Sequence, residues 1–189
     1  MLETRWDDWS GAVEAAYTDL AERCRRVVVA GLSMGGTLAC WVTARHPEVA
    51  GLVCVNPLVL PPDPEQVTLL RSMLDAGETI APGIGSDIAD PDVVETAYDG
   101  SPLAPALSLF EATEALGGAL ARIACPVLLL TSPQDHVVAP ASSDHLAASV
   151  AGPVERVTLE RSYHVATLDF DRDLIAERTL DFVRKVTAT

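Results

Sequence analysis

The sequence predicts an α/β domain with a mostly parallel sheet and flanking helices. Short β-branched apolar runs alternate along it with stretches of helical period, and strands alternating with helices are the mark of a parallel sheet. The first three runs are apolar at nearly every position, as expected of strands covered on both faces. Gly, Pro or Asn punctuate the ends of the runs. A length of 189 residues suits a single domain, and 49% apolar with 21% charged residues is too apolar for a disordered chain.

Trp6, Trp9, Val13, Ala16, Tyr17 and Leu20 recur at spacings of three and four among acidic residues, an amphipathic helix ending near Arg23. Residues 27–30 are too short for a helix and read as a strand buried on both faces. Residues 31–36 form a sharp turn, and a helix over about 37–46 is stopped by Pro47. Residues 49–55 read as a second buried strand, closed by Asn56-Pro57. From Leu58 to about Arg122 the chain changes character. Pro61, Pro62, Pro64, Pro82, Pro91, Pro102 and Pro105 interrupt it, residues 87–92 are acidic, and helical patches cover 67–74 and 107–116. So long a detour is unusual for a simple crossover. It divides the chain into a core of residues 1–57 and 121–189 with an insertion over 58–120. A third buried strand spans 127–130, followed by a loop over 131–140 and a helix over 141–150. A strand over about 154–159, a loop containing His164 and a helix over about 173–186 complete the order.

The charge balance excludes several functions. Against 27 Asp and Glu stand 13 Lys and Arg, a net charge of −14, and the isoelectric point is near 4.5. Phosphate backbones are bound by clustered Lys and Arg, and no basic stripe occurs, so no nucleic-acid partner is expected. No apolar run approaches the ~20 residues of a membrane span. The acidic, polar stretch from Met1 to Gly11 is unlike a signal peptide. Cys24, Cys40, Cys54 and Cys125 lie far apart in or beside apolar segments and read as buried reduced thiols, pointing to the cytoplasm. No CxxC or grouped His/Cys set suggests a metal.

Chemistry concentrates at Gly31-Leu32-Ser33-Met34-Gly35, a G-x-S-x-G run with a strand before it and a helix after it. In such an elbow the serine takes a strained backbone conformation that lifts its Oγ above the end of the sheet. Small residues two before and two after let strand and helix approach, and Gly36 relaxes the packing further. The Met34 N–H, at the helix start, is a natural donor to a developing oxyanion. A serine nucleophile needs a base, and the base an orienting acid. The order Ser…Asp/Glu…His of α/β-hydrolases is met by Asp135, in the loop after the third strand, and His164, in the loop before the last helix. His46, His136 and His145, and Glu160, Asp144, Asp169 and Asp171, fit that order less well. Related enzymes that open epoxides or remove halides carry an aspartate at the elbow, and those acting on dienelactones a cysteine. Serine points to acyl transfer from an ester, thioester or amide.

Residues 28–37, together with Asp135-His136-Val137-Val138 and residues 162–169, resemble the elbow, acid and histidine loops of bacterial monoacylglycerol lipases and thermostable carboxylesterases. The resemblance spans almost the whole chain, including the Pro-rich insertion, which corresponds there to a small cap. It implies an α/β-hydrolase fold with Ser33 as nucleophile, Asp135 as acid, His164 as base and the Met34 amide as one oxyanion donor. It also implies small-molecule acyl esters or monoglycerides as substrates, with no metal or organic cofactor. Members of that family begin with further strands and a His-Gly loop that completes the oxyanion hole. No histidine here is followed by glycine. The expectation is therefore an N-terminally truncated version of the fold. Loss of one oxyanion donor costs roughly 10²–10³ in kcat.

A thioesterase, peptidase or acyltransferase on the same scaffold is the alternative within enzymes, and an inactive fragment with a binding role or none is the alternative outside them. In the insertion, Leu69, Leu70, Met73, Leu74, Leu103, Leu107, Leu109 and Phe110 are candidates either for an acyl pocket or for the insertion's own packing core. The acidic run at 87–92 reads as a solvated face.

Overall fold

A strand buried on both faces must be apolar throughout, and successive side chains then feed two different cores. Residues 51–55 and 127–131 behave in this way, each buried at all five positions. The computed structural model describes residues 2–188. Along the chain it runs α1 (Trp6–Arg23), β1 (Val28–Leu32), α2 (Met34–Arg45), β2 (Gly51–Val55), α3 (Pro64–Asp75), β3 (Ile80–Pro82), β4 (Gly100–Pro102) and α4 (Leu103–Gly117). A 3-10 turn (Leu120–Arg122), β5 (Val127–Thr131), α5 (Ala141–Ser149), β6 (Val154–Thr158) and α6 (Arg172–Thr187) follow. The main sheet is parallel with the order β1-β2-β5-β6.

Leu52 and Cys54 of β2 and Val127 and Leu129 of β5 face a core completed by Ala39 and Cys40 of α2, Leu116 of α4 and Leu146 of α5. The alternate residues Val53, Val55, Leu128 and Leu130 face a second core with Ile175 and Phe182 of α6. Each such side chain contributes roughly 1.5–3 kcal/mol on burial. The amphipathic face of α1 is seated on α2 rather than on the sheet, with Tyr17 against Val27, Val42 and Val49. Trp6 meets Trp41 edge to face at a centroid distance of 6.2 Å.

Two expectations change. Strand β1 is only half-buried, with Ala30 exposed. With β6 it is one of the two outer strands of the sheet among the described residues, so its open edge is not covered as the edges of β2 and β5 are. Of the cysteines, Cys40 and Cys54 are buried, Cys125 is partly so, and Cys24, which follows the last turn of α1, is exposed. The Cys40 and Cys54 sulfurs stand unbridged 3.9 Å apart, and that contact together with burial pushes the Cys40 thiol well up.

Between β2 and β5 the insertion folds as α3, a short antiparallel hairpin of β3 and β4, and α4. The hairpin lacked a sequence signal because its strands are three residues long and end on Pro82 and Pro102. Both ends of the insertion are sewn into the sheet's core, through Val59 at its start and Leu116 and Leu120 at its close. Its middle projects over the C-terminal edge of the strands, where Ser33, Asn56, Ser132 and the loop after β6 converge.

Candidate active site

Ser33 joins β1 to α2 with φ 54 and ψ −121, one of two non-glycine residues in the described chain at positive φ. Such a conformation costs about 1–3 kcal/mol and persists only where its surroundings over-determine it. Here they do. The Ser33 N–H donates to Val55 O at 3.1 Å, and the Ser33 carbonyl accepts from Gly36, Thr37 and Leu58 N–H at 2.9, 3.2 and 3.2 Å. The Ser33 hydroxyl makes no capping bond to α2, which leaves it directed to other work. As the first residue of α2, Met34 has an N–H with no intrahelical acceptor, at the positive end of the helix dipole.

The glycines around the elbow are not equivalent. A Cβ on Gly31 would lie 2.0 Å from the Gly35 carbonyl oxygen, and one on Gly36 would lie 2.7 Å from the Pro57 Cβ, whereas one on Gly35 would meet nothing within 4 Å. The expected need for a small residue two after the serine is thus corrected: the close approaches are made by Gly31 and Gly36. Gly31→Ala is expected to destabilise the chain by on the order of 3 kcal/mol or more. Gly35→Ala, inside a helix, is expected to stabilise it by about 0.5–1 kcal/mol. Thermal melts of the two variants check the contrast, since a melt lowered equally by both would contradict it.

Asp135 and His164 come together as the sequence order requires. Asp135 Oδ2 lies 2.7 Å from His164 Nδ1, while Oδ1 accepts the N–H groups of Val137 and Val138, each at 2.8 Å. The carboxylate side chain is 1% exposed and the imidazole 8%. With a carboxylate facing it, Nδ1 is the protonated nitrogen, and Nε2 is left as the acceptor. Ser33 and His164 line one open cavity of about 1060 Å³. The rejected candidates lie elsewhere or serve other partners. His46 sits between Glu14 and Glu48, Asp144 pairs with Arg156, and Glu160 is exposed. His145 is on α5, with a buried Nε2 that has no hydrogen-bond partner. Among the described residues, no group of three or more His, Cys, Asp or Glu could hold a metal ion.

Of the two roles open to the eight insertion residues, acyl pocket or packing core, the first is not met. None of the eight lines the cavity: Leu103 and Leu107 are buried, and Leu69 is exposed on α3. The apolar lining comes instead from Leu32, Ile80, Ile84, Val137 and Val165, with Tyr98 and Pro102 beside them. Ile80, Ile84 and Tyr98 sit in the Pro-rich, aperiodic part of the insertion, where no pattern distinguishes a wall from a loop. Apart from His164, the charged side chains of the lining are all acidic, Glu3, Asp87, Glu95 and Asp99, with no Lys or Arg.

From the sequence, three supporting residues take other roles, Asn56 as the close of a strand and Asp169 and Asp171 as weaker candidates for the acid. Asn56, at φ 44 and 2% exposed, donates to Ser132 Oγ at 3.1 Å and to His164 O at 2.9 Å, and its Oδ1 accepts the Ser132 N–H at 2.8 Å. It ties the ends of β2 and β5 to the histidine loop. An Asn directly after a strand is a signal for left-handed backbone and could have marked it. Asp171 accepts from Arg161 N–H and Ser162 Oγ, each at 2.9 Å. Asp169 is fully buried and accepts four backbone N–H groups, from Ala89, Asp90, Tyr163 and Phe170. Burial alone would raise the Asp169 pKa, but those four donors outweigh it and hold the carboxyl below its ordinary value. The acidic run at 87–92 is not simply a solvated face, because the Asp87 side chain is only 13% exposed and is bonded to the loops of both Asp135 and His164.

The chain is similar to several known proteins. The family described as "Serine aminopeptidase, S33" (a family label unrelated to residue Ser33) matches residues 2–171. The thermostable monoacylglycerol lipase of Bacillus sp. (strain H-257) is 39% identical over 188 residues, covering 98% of this chain and 73% of that protein. The solved structure of a metagenome-derived lipolytic enzyme, reported for LipS and LipT, superposes with a TM-score of 0.91 at 37% identity, covering 97% of this chain and 75% of that one. The monoacylglycerol lipase of Paleococcus ferrophilus superposes with a TM-score of 0.63 at 18% identity over 91% of this chain and 74% of its own, a likeness of fold.

Proposed function

Because the chain belongs to the serine aminopeptidase S33 family and has the α/β-hydrolase fold, we propose that it hydrolyses carboxylic esters through an acyl-enzyme on Ser33. The observation that carries this reading is the 2.7 Å contact of His164 Nδ1 with Asp135 Oδ2, beside a cavity that His164 shares with the strained Ser33. Ser33 Oγ attacks the acyl carbonyl as His164 Nε2 takes its proton. Asp135 holds the imidazole in that tautomer and stabilises the imidazolium. The Met34 N–H donates to the oxyanion. His164 then protonates the departing alcohol, and a water activated by the same base releases the acid.

Small acyl esters and monoacylglycerols are the substrate class, supported by the names of the relatives at 39% and 37% identity. The apolar lining at Leu32, Ile80, Ile84, Val137 and Val165 suits an acyl chain. Residues 58–120 act as a cap over the site, supported by the contribution of β3, β4 and the loop between them to its wall. A cytoplasmic location goes with the unbridged cysteines. No described helix is long and apolar enough to cross a membrane.

Aminopeptidase activity is the second reading, favoured by the family's description and by the acidic lining of Glu3, Glu95 and Asp99, which suits an ammonium group. A panel of 4-nitrophenyl esters, a monoacylglycerol and amino-acid anilides separates the two, together with labelling by a fluorophosphonate. We expect ester turnover to exceed anilide turnover by roughly 10²-fold or more, with the label on Ser33. Anilide hydrolysis without ester hydrolysis would replace the first reading by the second.

A further inference from the structure

Asp87 lies in the insertion, between β3 and β4, yet its carboxylate is turned towards the core. Oδ2 accepts the His164 N–H at 3.1 Å and the His136 N–H at 3.0 Å, and Oδ1 lies 2.7 Å from His136 Nδ1. Its own carbonyl accepts the Val165 N–H at 3.1 Å. One side chain therefore holds the main chain of both loops that carry the acid and the base, at the residue after Asp135 and at His164 itself. The tie is reciprocal. The base loop sends Asp169 the other way, to the N–H groups of Ala89 and Asp90 at 2.8 and 3.0 Å. Burial would raise the Asp87 pKa, but the donors from His136 and His164 outweigh it and hold the carboxyl below its ordinary value.

We propose that Asp87 is a positioning residue for the catalytic base, an insertion carboxylate that sets the acid loop and the base loop against each other. The proposal rests on the reading of Ser33, Asp135 and His164 as the reacting set. Its physical basis is that proton transfer from Ser33 demands a narrow geometry, and a displacement of about 1 Å in a supporting group can cost 10²-fold in rate. The acid loop is held from within by Val137 and Val138 on Asp135, and the base loop by Asn56 and Asp169. Asp87 alone of these side chains bonds to both loops from outside the parallel sheet and its strand-end loops.

The test is steady-state ester kinetics normalised to the fraction of chain labelled when the fluorophosphonate reaction is run to completion, so that misfolded protein drops out and a folded but slowly labelled variant does not. Asp87→Ala should lower kcat per labelled serine by roughly 10- to 100-fold with KM nearly unchanged. Asp87→Asn should stay within about threefold of the parent, because its amide oxygen can keep both backbone N–H donors and its amide N–H can serve His136 Nδ1. His136→Ala, which leaves the backbone N–H groups in place, should also stay within about threefold. Should Asp87→Ala not fold, Asp87→Ser, too short to reach either loop, gives the same reading as the alanine variant. A kcat per labelled serine equal to the parent in the alanine or serine variant would overturn the proposal. So would an asparagine variant as slow as the alanine one, which would mean that charge and not hydrogen bonding acts. Ser33→Ala serves as the control on the premise: retained turnover there removes both readings, while lost turnover with normal Asp87 variants removes this one alone.

Discussion

Replacing Ser33 by alanine is expected to lower kcat for ester hydrolysis by about 10⁵-fold or more while leaving the melting temperature close to that of the parent. Removal of a nucleophile costs as much as removal of the whole triad, because the three residues act as a unit. On the proposed mechanism, what remains is the contribution of the Met34 N–H and of substrate binding. Stability should hardly change, for a local reason. Alanine and serine both carry a Cβ, so the strain at φ 54 is the same in each. The backbone bonds from Ser33 N–H to Val55 and from Gly36, Thr37 and Leu58 to the Ser33 carbonyl do not involve the hydroxyl. The hydroxyl itself caps nothing. Initial rates on a 4-nitrophenyl ester, with a thermal melt alongside, decide the matter. Turnover within tenfold of the parent would take Ser33 out of the reaction.

Asp135→Asn is expected to cost about 10⁴ in kcat, through a tautomer rather than through geometry. Oδ1 of Asp135 already receives the Val137 and Val138 N–H groups, each at 2.8 Å. An asparagine in this place must put its oxygen there, since an amide nitrogen cannot accept those two donors. Its NH2 then faces His164 Nδ1 and donates to it. That makes Nδ1 the acceptor and leaves Nε2 protonated, unable to take the proton of Ser33. The imidazole should stay in place, because the Asn56 bond to His164 O and the Asp87 bond to its N–H are untouched. A loss below tenfold at neutral pH would show that Asp135 does not set the tautomer.

The parts of this protein legible in its sequence are those governed by short-range pattern. Residues 51–55 and 127–130 announce a buried parallel sheet because burial on both faces forbids polar residues at either parity. The elbow is legible because one serine must occupy a conformation that demands Gly31 behind it. Asp135 and His164 follow from their order on loops after strands. Harder to read are features created by contacts across long stretches of chain. The acidic run at 87–92 looks solvated until the fold sets Asp87 beside His136 and His164, 49 and 77 residues away. The Ile80 and Ile84 wall has no period to betray it, since the segment is neither helix nor long strand. Half-burial of β1 is likewise a property of its place at the edge of the sheet and not of its Val-rich composition.

The paired carboxylates at the insertion have a consequence for how this scaffold can vary. Asp87 reaches from the insertion to the base loop, and Asp169 from the base loop to the insertion, each onto backbone donors of the other. An insertion transplanted from another hydrolase would bring only one half of that handshake. Unless the donor carries an acid of equal reach, the graft leaves His164 with an unmatched amide and Asp169 with vacant lone pairs. A graft that carries residues 87–90 together with the base loop would keep both halves of the tie. The freedom to reshape the cavity lies in wall residues outside that segment, such as Ile80, Ile84 and Tyr98, which make no hydrogen bond of that tie.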